Sequence, residues 1–242
     1  MRRLLILGGT SEARHLAEMT CSFVKTTSSL AGETRDPATL AGTVRIGGFG
    51  GADGLISWVQ NNHIDALIDA THPFARNMPW HAHQACKRLG LPRLRLLRPR
   101  FCDAGSVHRV KTLQQAIDST PAGKRLLVTT GKRDTDVLRA RPDLTVHLRS
   151  IEPVPDLPAN VLPLLMRPPF TQEDECALMR KLQIDVLIAK DAGGVTAPKL
   201  AAARVLGIDV ILLDRPEQPP GPLVQTAEQA VAWLQHVVGI EN

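Results

Sequence analysis

The chain has 242 residues, 43% of them apolar, and a formal net charge of +5. That length suits two small α/β domains or one large one, and the apolar share excludes a disordered chain. No apolar run reaches the roughly 18 residues of a membrane helix, there is no Tyr, aromatics are 3%, and the positive charge is spread rather than blocked. Membrane insertion and nucleic-acid binding therefore yield to an anionic small molecule as the expected partner.

The amino terminus begins Met1-Arg2-Arg3-Leu4, like a signal start. Its apolar run stops at Gly8 and no small-residue cleavage site follows, so a cytoplasmic protein is expected. Cys21, Cys86, Cys102 and Cys176 have no C-x-x-C spacing and read as buried or free thiols, with no metal site or disulfide framework.

Leu4 to Leu7 has the pattern of a strand buried on both faces. Gly8 and Gly9 break it, and Thr10 and Ser11 are good helix N-caps. Glu12 then sits in a first turn, and Ala13, Leu16 and Ala17 give the stripe of a helix packing back on the sheet. A strand, a glycine turn and a helix N-terminus make an anion site. The fingerprint G-x-G-x-x-G/A is partial: Gly8 and Ala13 match, while Thr10 replaces the middle glycine with a hydroxyl able to donate to a phosphate. A plain strand-to-helix turn is the alternative.

Phe23 to Thr27 reads as a second strand, closed by Ser28 to Gly32. In a doubly wound fold its end lies near the adenosine ribose, where Ser28, Ser29 and Arg35 suit a 2′-phosphate despite Glu33; a solvated loop is the other reading. A short strand, Val44 to Ile46, runs into Gly47-Gly48-Phe49-Gly50-Gly51, a loop a ligand can approach closely. Leu55 to Asn61 reads as a helix and Ile64 to Ala70 as a buried strand ending in Thr71-His72-Pro73-Phe74-Ala75. Open α/β sheets put ligands at such strand ends. Phe74 to Leu89 reads as a helix and Arg93 to Leu97 as a strand, with a domain boundary near Arg100.

The chain then restarts. Lys124 to Gly131 echoes Arg2 to Gly8, and Ile184-Asp185-Val186-Leu187-Ile188 echoes Ile64-Asp65-Ala66-Leu67-Ile68. Thr145 to Arg149, Val161 to Leu165 and Asp185 to Ala189 read as strands, Thr171 with Asp174 as a capping box, and Lys199 to Leu206 as a helix. Val210 to Leu213 reads as the last strand and Thr226 to Val238 as the closing helix. The expected architecture is α/β: two Rossmann-like domains, 1–100 and 101–242, with largely parallel sheets and a cleft between them. Two strand ends of the second half carry charge, Thr130-Gly131-Lys132-Arg133 and Lys190-Asp191-Ala192-Gly193-Gly194. They suit carboxylates or phosphates, or else are surface charges at helix starts.

Several motifs together, in this order, resemble the precorrin-6A reductases across nearly the whole chain. They are Gly8-Gly9-Thr10-x-Glu12, Ser29-Leu30-Ala31-Gly32, the Gly47–Gly51 loop, Asp69-Ala70-Thr71-His72-Pro73-Phe74-Ala75, Thr130-Gly131, Pro169-Phe170-Thr171, Lys190-x-x-Gly193-Gly194 and Lys199-Leu200-Ala201-Ala202-Ala203. The family commonly has Arg where this chain has Glu33. The resemblance implies NADPH-dependent reduction of one double bond of the precorrin-6A macrocycle, giving precorrin-6B, on the route to cobalamin. It implies a first domain holding NADPH, with pyrophosphate on Gly8, Gly9, Thr10 and Ser11, the 2′-phosphate near Ser29 and Arg35, and the nicotinamide flanked by Gly48, Phe49, Gly50, Thr71, His72 and Pro73. The carboxylate arms of a precorrin would meet Gly131, Lys132, Arg133, Lys190, Gly193 and Gly194. His72, Lys190 and Asp191 are the candidate proton donors. The alternatives are a cobalt-precorrin-6A reductase and a non-catalytic NADPH-sensing module. The sequence fixes no oligomeric state.

Overall fold

The computed structural model describes residues 1–32, 40–101, 107–132, 134–194 and 197–239. In chain order the elements are β1 (Arg3–Leu7), α1 (Ser11–Thr20), β2 (Lys25–Leu30), β3 (Thr43–Ile46), α2 (Gly51–Asn61), β4 (Ala66–Asp69), α3 (Met78–Leu89), β5 (Arg93–Leu96), β6 (Val107–Val110) and α4 (Leu113–Asp118). There follow β7 (Arg125–Val128), a 3-10 helix (Thr135–Ala140), β8 (Thr145–Ser150), β9 (Val161–Leu165), α5 (Gln172–Lys181), β10 (Val186–Lys190), α6 (Pro198–Leu206), β11 (Asp209–Leu213), β12 (Leu223–Val224) and α7 (Ala227–Val238).

Two compact units result: Met1–Pro99 with Pro216–Asn242, and Arg100–Arg215. The first holds a sheet of order β12-β5-β4-β1-β2-β3, the second a sheet of order β6-β11-β10-β7-β8-β9. Every neighbouring pair in both is parallel. The α/β class expected from sequence is the observed one.

Parallel strands covered on both faces need continuous apolar runs, and alternate side chains must serve opposite faces. In β1, Leu4 and Ile6 join Leu16, Ala17, Ile68, Ala230 and Leu234 on one face. Leu5 and Leu7 join Leu55, Val59, Leu67, Ala82 and Ala85 on the other. In the second unit Leu127, Leu187 and Ala189 pack on Met179, Ala202 and Ala203.

The structure corrects the domain limits at the carboxyl end. Residues 216–242, read from sequence as part of the second domain, belong to the first unit. Leu223 and Val224 pair with Arg95 and Leu96, and α7 buries Ala227, Ala230, Leu234 and Val238 in the core that contains β1 and α1. A two-residue strand behind a proline-rich loop carries no periodic signal, so its return was hidden. For the same reason β6, the six-residue α4 and the 3-10 helix are elements the sequence reading lacks. α3 begins at Met78 rather than Phe74: the Ala75 N–H donates to the His72 carbonyl (2.8 Å), closing a turn, and Pro79 occupies the first helical turn. Among the described residues, no helix is long and apolar enough to cross a membrane. Cys21, Cys86 and Cys176 are free thiols, and burial pushes the Cys86 thiol up to about 12.

Candidate functional site

Strand order reverses between β1 and β4 in the first sheet and between β7 and β10 in the second. The crevice outside the carboxyl ends at such a reversal is where open α/β sheets bind ligands.

In the first unit, the turn from Gly8 to Ser11 and the segment from Ala70 to Pro73 leave β1 and β4 at this point. The Gly8 N–H donates to the Ser29 carbonyl (2.9 Å), and a Cβ on Gly8 would lie 3.3 Å from a Leu30 methyl. Gly9 has φ +108°, and nothing lies within 4 Å of where its Cβ would be. The space over the turn is therefore open, and α1 presents its amino terminus there. Thr10 is the N-cap: its hydroxyl accepts from the Ala13 N–H (3.1 Å) and donates to the Ala70 carbonyl (2.9 Å). Its one proton is committed inside the fold, so what the turn leaves for an anion is backbone N–H, not the hydroxyl anticipated from sequence. Ser11 is exposed and donates to Glu12 (3.2 Å). Arg98 reaches both Glu12 oxygens at 3.1 Å. Burial alone would raise the Glu12 pKa, but its backbone hydrogen bond and Arg98 outweigh that and lower it. Thr10, Glu12, Ala70, Thr71, Pro73 and Arg98 line one small cleft.

The turn after β4 is fixed by a buried pair. Asp69 is 0% exposed and Arg95 3%. Asp69 Oδ1 accepts from the Thr71 N–H (3.1 Å), the Thr71 hydroxyl (2.8 Å) and Arg95 Nη1 (2.8 Å). Arg95 Nη1 also donates to the Asp69 carbonyl (3.0 Å) and Thr71 Oγ1 (3.1 Å). Burial lowers the Arg95 pKa, with Asp69 opposing it. On this rigid turn His72 is exposed and Pro73 buried. His72 Nδ1 accepts from the Phe74 N–H (3.1 Å), so a neutral ring carries its proton on Nε2.

The glycine loop is a shaped one. Arg45 donates to the carbonyls of Gly47 (2.5 Å) and Gly48 (2.6 Å) and stacks 3.8 Å from the centre of the Phe49 ring, which meets Trp58 edge-on at 5.7 Å. A Cβ on Gly54, in α2, would stand 1.7 Å from the Phe49 carbonyl oxygen, so only glycine lets loop and helix approach this closely. Arg45 also donates to the buried Ser29 hydroxyl (3.2 Å). Gly48 and Gly50 are exposed beside it. Arg35 and Glu33 lie outside the described residues.

In the second unit Lys190 Nζ donates to the Thr130 carbonyl (2.6 Å), bridging the ends of β10 and β7 at the reversal. Gly131 is half-buried, Gly193 buried and Gly194 half-buried nearby in the chain; Lys132 is exposed, 3.9 Å from Glu152. Arg133 lies outside the described residues. Asp191 is 0% exposed; it accepts from the Phe101 N–H (3.1 Å), Arg109 (2.9 Å) and Arg100 (3.5 Å). Its carbonyl accepts from Arg215 Nε (2.9 Å). Both carboxylate oxygens are occupied and sealed from solvent, the geometry of a brace and not of a proton donor to a ligand.

Sequence reasoning gave no role to Arg45, Asp69, Arg95 and Arg98, which shape the first unit's candidate site. Alternating Arg93 and Arg95 in a strand of otherwise apolar residues was the available signal, since a charge inside a parallel sheet needs a partner.

The model of the precorrin-6x reductase family CbiJ/CobK matches residues 3–235. A precorrin-6A reductase of Rhodococcus erythropolis is 43% identical, over 97% of this chain and 98% of its own. A cobalt-precorrin-6A reductase of Priestia megaterium is 26% identical, over 96% and 97%. A solved CobK precorrin-6A reductase superposes with a TM-score of 0.89 at 36% identity, covering 98% of this chain and 97% of the other.

Proposed function

Because the chain belongs to the CbiJ/CobK precorrin-6x reductase family, we propose that it reduces precorrin-6A to precorrin-6B with NADPH as hydride donor. It is a CH–CH oxidoreductase of cobalamin biosynthesis. The higher identity to the relative named for precorrin-6A supports the cobalt-free ring over the cobalt form.

The observation that carries the cofactor assignment is the open turn over Gly9 at the β1/β4 reversal, beside the amino terminus of α1. That cradle fits a pyrophosphate, and Arg98 cancels the Glu12 charge that would otherwise repel it. NADPH, when bound, supplies the hydride. Gly8, Gly9, Thr10 and Ser11 would hold its phosphates through backbone N–H groups, Ser29 and Arg35 its ribose end, and Gly48, Phe49, Gly50, Thr71, His72 and Pro73 its nicotinamide end. Lys132, Arg133 and Lys190, with Gly131, Gly193 and Gly194, would receive the carboxylate arms of the substrate. Hydride addition needs a matching proton on the macrocycle, and His72, exposed on a turn that Asp69 holds, is the group to give it: the ring takes up a second proton, giving up the Nδ1 contact with the Phe74 N–H, and passes the Nε2 proton on to end neutral. Asp191 takes no part beyond bracing β10.

Following NADPH absorbance with precorrin-6A added and withheld tests the reading: oxidation only with the substrate, and a product two hydrogens heavier, are expected. Oxidation independent of the substrate, or none with it, overturns it. His72→Ala should lower kcat far more than it weakens NADPH.

A further inference from the structure

Arg149 on β8 and Glu175 on α5 form a two-pronged buried pair, 2.9 and 2.8 Å, and the guanidinium lies 4.5 Å from the Phe170 ring centre. Each Glu175 oxygen is held by one Arg149 nitrogen, so the pair is balanced within itself. Lys199 stands beside it without such balance. It follows Pro198 in the first turn of α6, where the helix dipole adds positive potential. Among the described residues its ammonium makes no hydrogen bond or ion pair. The charged groups that act on it are Arg149, Lys190 and Glu175: two cations, and one carboxylate already engaged. Burial first, then Arg149, with Lys190 adding to them and Glu175 opposing, lowers its pKa to about 8.

A lysine in this position breaks two local rules at once: it puts a cation at a helix amino terminus and a half-buried charge beside two other cations. Such violations persist where a ligand resolves them. The missing counter-charge is an anion, and the place, beside Lys190 at the β7/β10 reversal, is where this sheet would take one.

We propose that Lys199 is the anchor for a carboxylate arm of the tetrapyrrole substrate, with the Arg149–Glu175 pair as its fixed base and Lys190 beside it. This rests on the reading of a precorrin as substrate. An amide or hydroxyl arm would leave the ammonium uncompensated, so the site selects for negative charge.

The test is Lys199→Met, which keeps the stem and drops the charge, with Lys199→Arg as the rescuing variant. KM for precorrin-6A should rise about tenfold, the loss of one charge-assisted hydrogen bond, with kcat within about twofold and most of the loss recovered by Arg. Wild-type KM should climb as the pH passes upward through about 8, and the Met variant should lack that rise. Without any nucleotide, uroporphyrin, a stable tetrapyrrole with carboxylate arms, should bind the wild type more tightly than Lys199→Met, while its methyl ester should not distinguish them. The Met variant should also melt about 2–4 °C higher at pH 7, because a stranded charge is gone. An unchanged KM overturns the proposal, as does a fall in kcat at constant KM, which would make Lys199 a proton donor. Failure of the wild type to turn over precorrin-6A would instead sink the functional reading.

Discussion

The two sheets start alike and end differently. At the amino edge of the first, Asp65 Oδ2 accepts from the Arg3 N–H (2.8 Å), the Asp65 N–H donates to the Arg3 carbonyl (2.9 Å), and Arg2 pairs with Asp65 Oδ1 (3.0 Å). In the second, Asp185 Oδ2 accepts from the Arg125 N–H (2.8 Å), the Asp185 N–H donates to the Arg125 carbonyl (2.9 Å), and Lys124 stands 3.6 Å from Asp185 Oδ1. The same clamp sets the register of β1 on β4 and of β7 on β10. At the carboxyl edges the resemblance stops. The first sheet closes on glycines, an aromatic and a buried Asp69–Arg95 pair; the second closes on Lys190, Lys199, Arg149 and a sealed Asp191. The scaffold is repeated where strands enter the core, and the chemistry diverges where they leave it.

The largest expected difference separates the two buried aspartates. Arg95→Met strands Asp69 without a cationic partner, and should cost about 3–5 kcal/mol in chemical denaturation. Arg109→Met leaves Asp191 with Arg100 and the Phe101 N–H, and should cost about 1–2 kcal/mol. Equal losses would mean the two carboxyl edges are braced alike after all. Next in size is Gly54→Ala. Its Cβ collides with the Phe49 carbonyl, and forcing the glycine loop off α2 should cost about 1–3 kcal/mol and weaken NADPH binding in the same titration. A silent substitution would show that the loop does not shape the nucleotide site.

A third contrast is one of pH. His147 on β8 is 3% exposed with neither ring nitrogen hydrogen-bonded, and burial, then Arg125, lowers its pKa. The unfolded chain therefore takes up a proton before the folded unit does, so stability is lost as pH falls through about 6.5, the ordinary histidine value. The described histidines of the first unit are exposed or half-exposed. Hydrogen exchange at β8 and β10 should accelerate on acidification more than at β1 and β4, and His147→Leu should flatten the difference. Parallel acid profiles in both units would remove the histidine from the account.

How much of this was legible follows from where the information sits. Apolar runs such as Leu4–Leu7 and Val186–Ala189 are local signals, and the echo of Ile64–Ile68 in Ile184–Ile188 marked two strands that carry the same clamp. The capping box of Thr171 and Asp174 is likewise local, and it is formed. What escaped depends on partners distant in sequence. Arg95 finds Asp69 26 residues away, and β12 finds β5 more than a hundred residues back, with no periodicity to announce either. Asp191 looked like a reactive group because a strand end is where ligands bind; that two arginines close over it is a tertiary fact.

The smallest expected effect tests how the β1–α1 turn meets an anion. If Thr10 acts only as an N-cap, Thr10→Ala should cost about 1 kcal/mol of stability, and Thr10→Ser almost nothing. NADPH affinity should change little in either folded variant, since the hydroxyl proton goes to the Ala70 carbonyl. Ser11→Ala, at an exposed position whose hydroxyl meets only Glu12, should move neither quantity. The opposite result, a fold kept intact but NADPH lost in Thr10→Ala and retained in Thr10→Ser, would mean the hydroxyl swings from Ala70 to the phosphate on binding. The first unit's turn would then recognise its ligand by side chain, as the cations of the second are argued to do, and the contrast between backbone and side-chain recognition would fall.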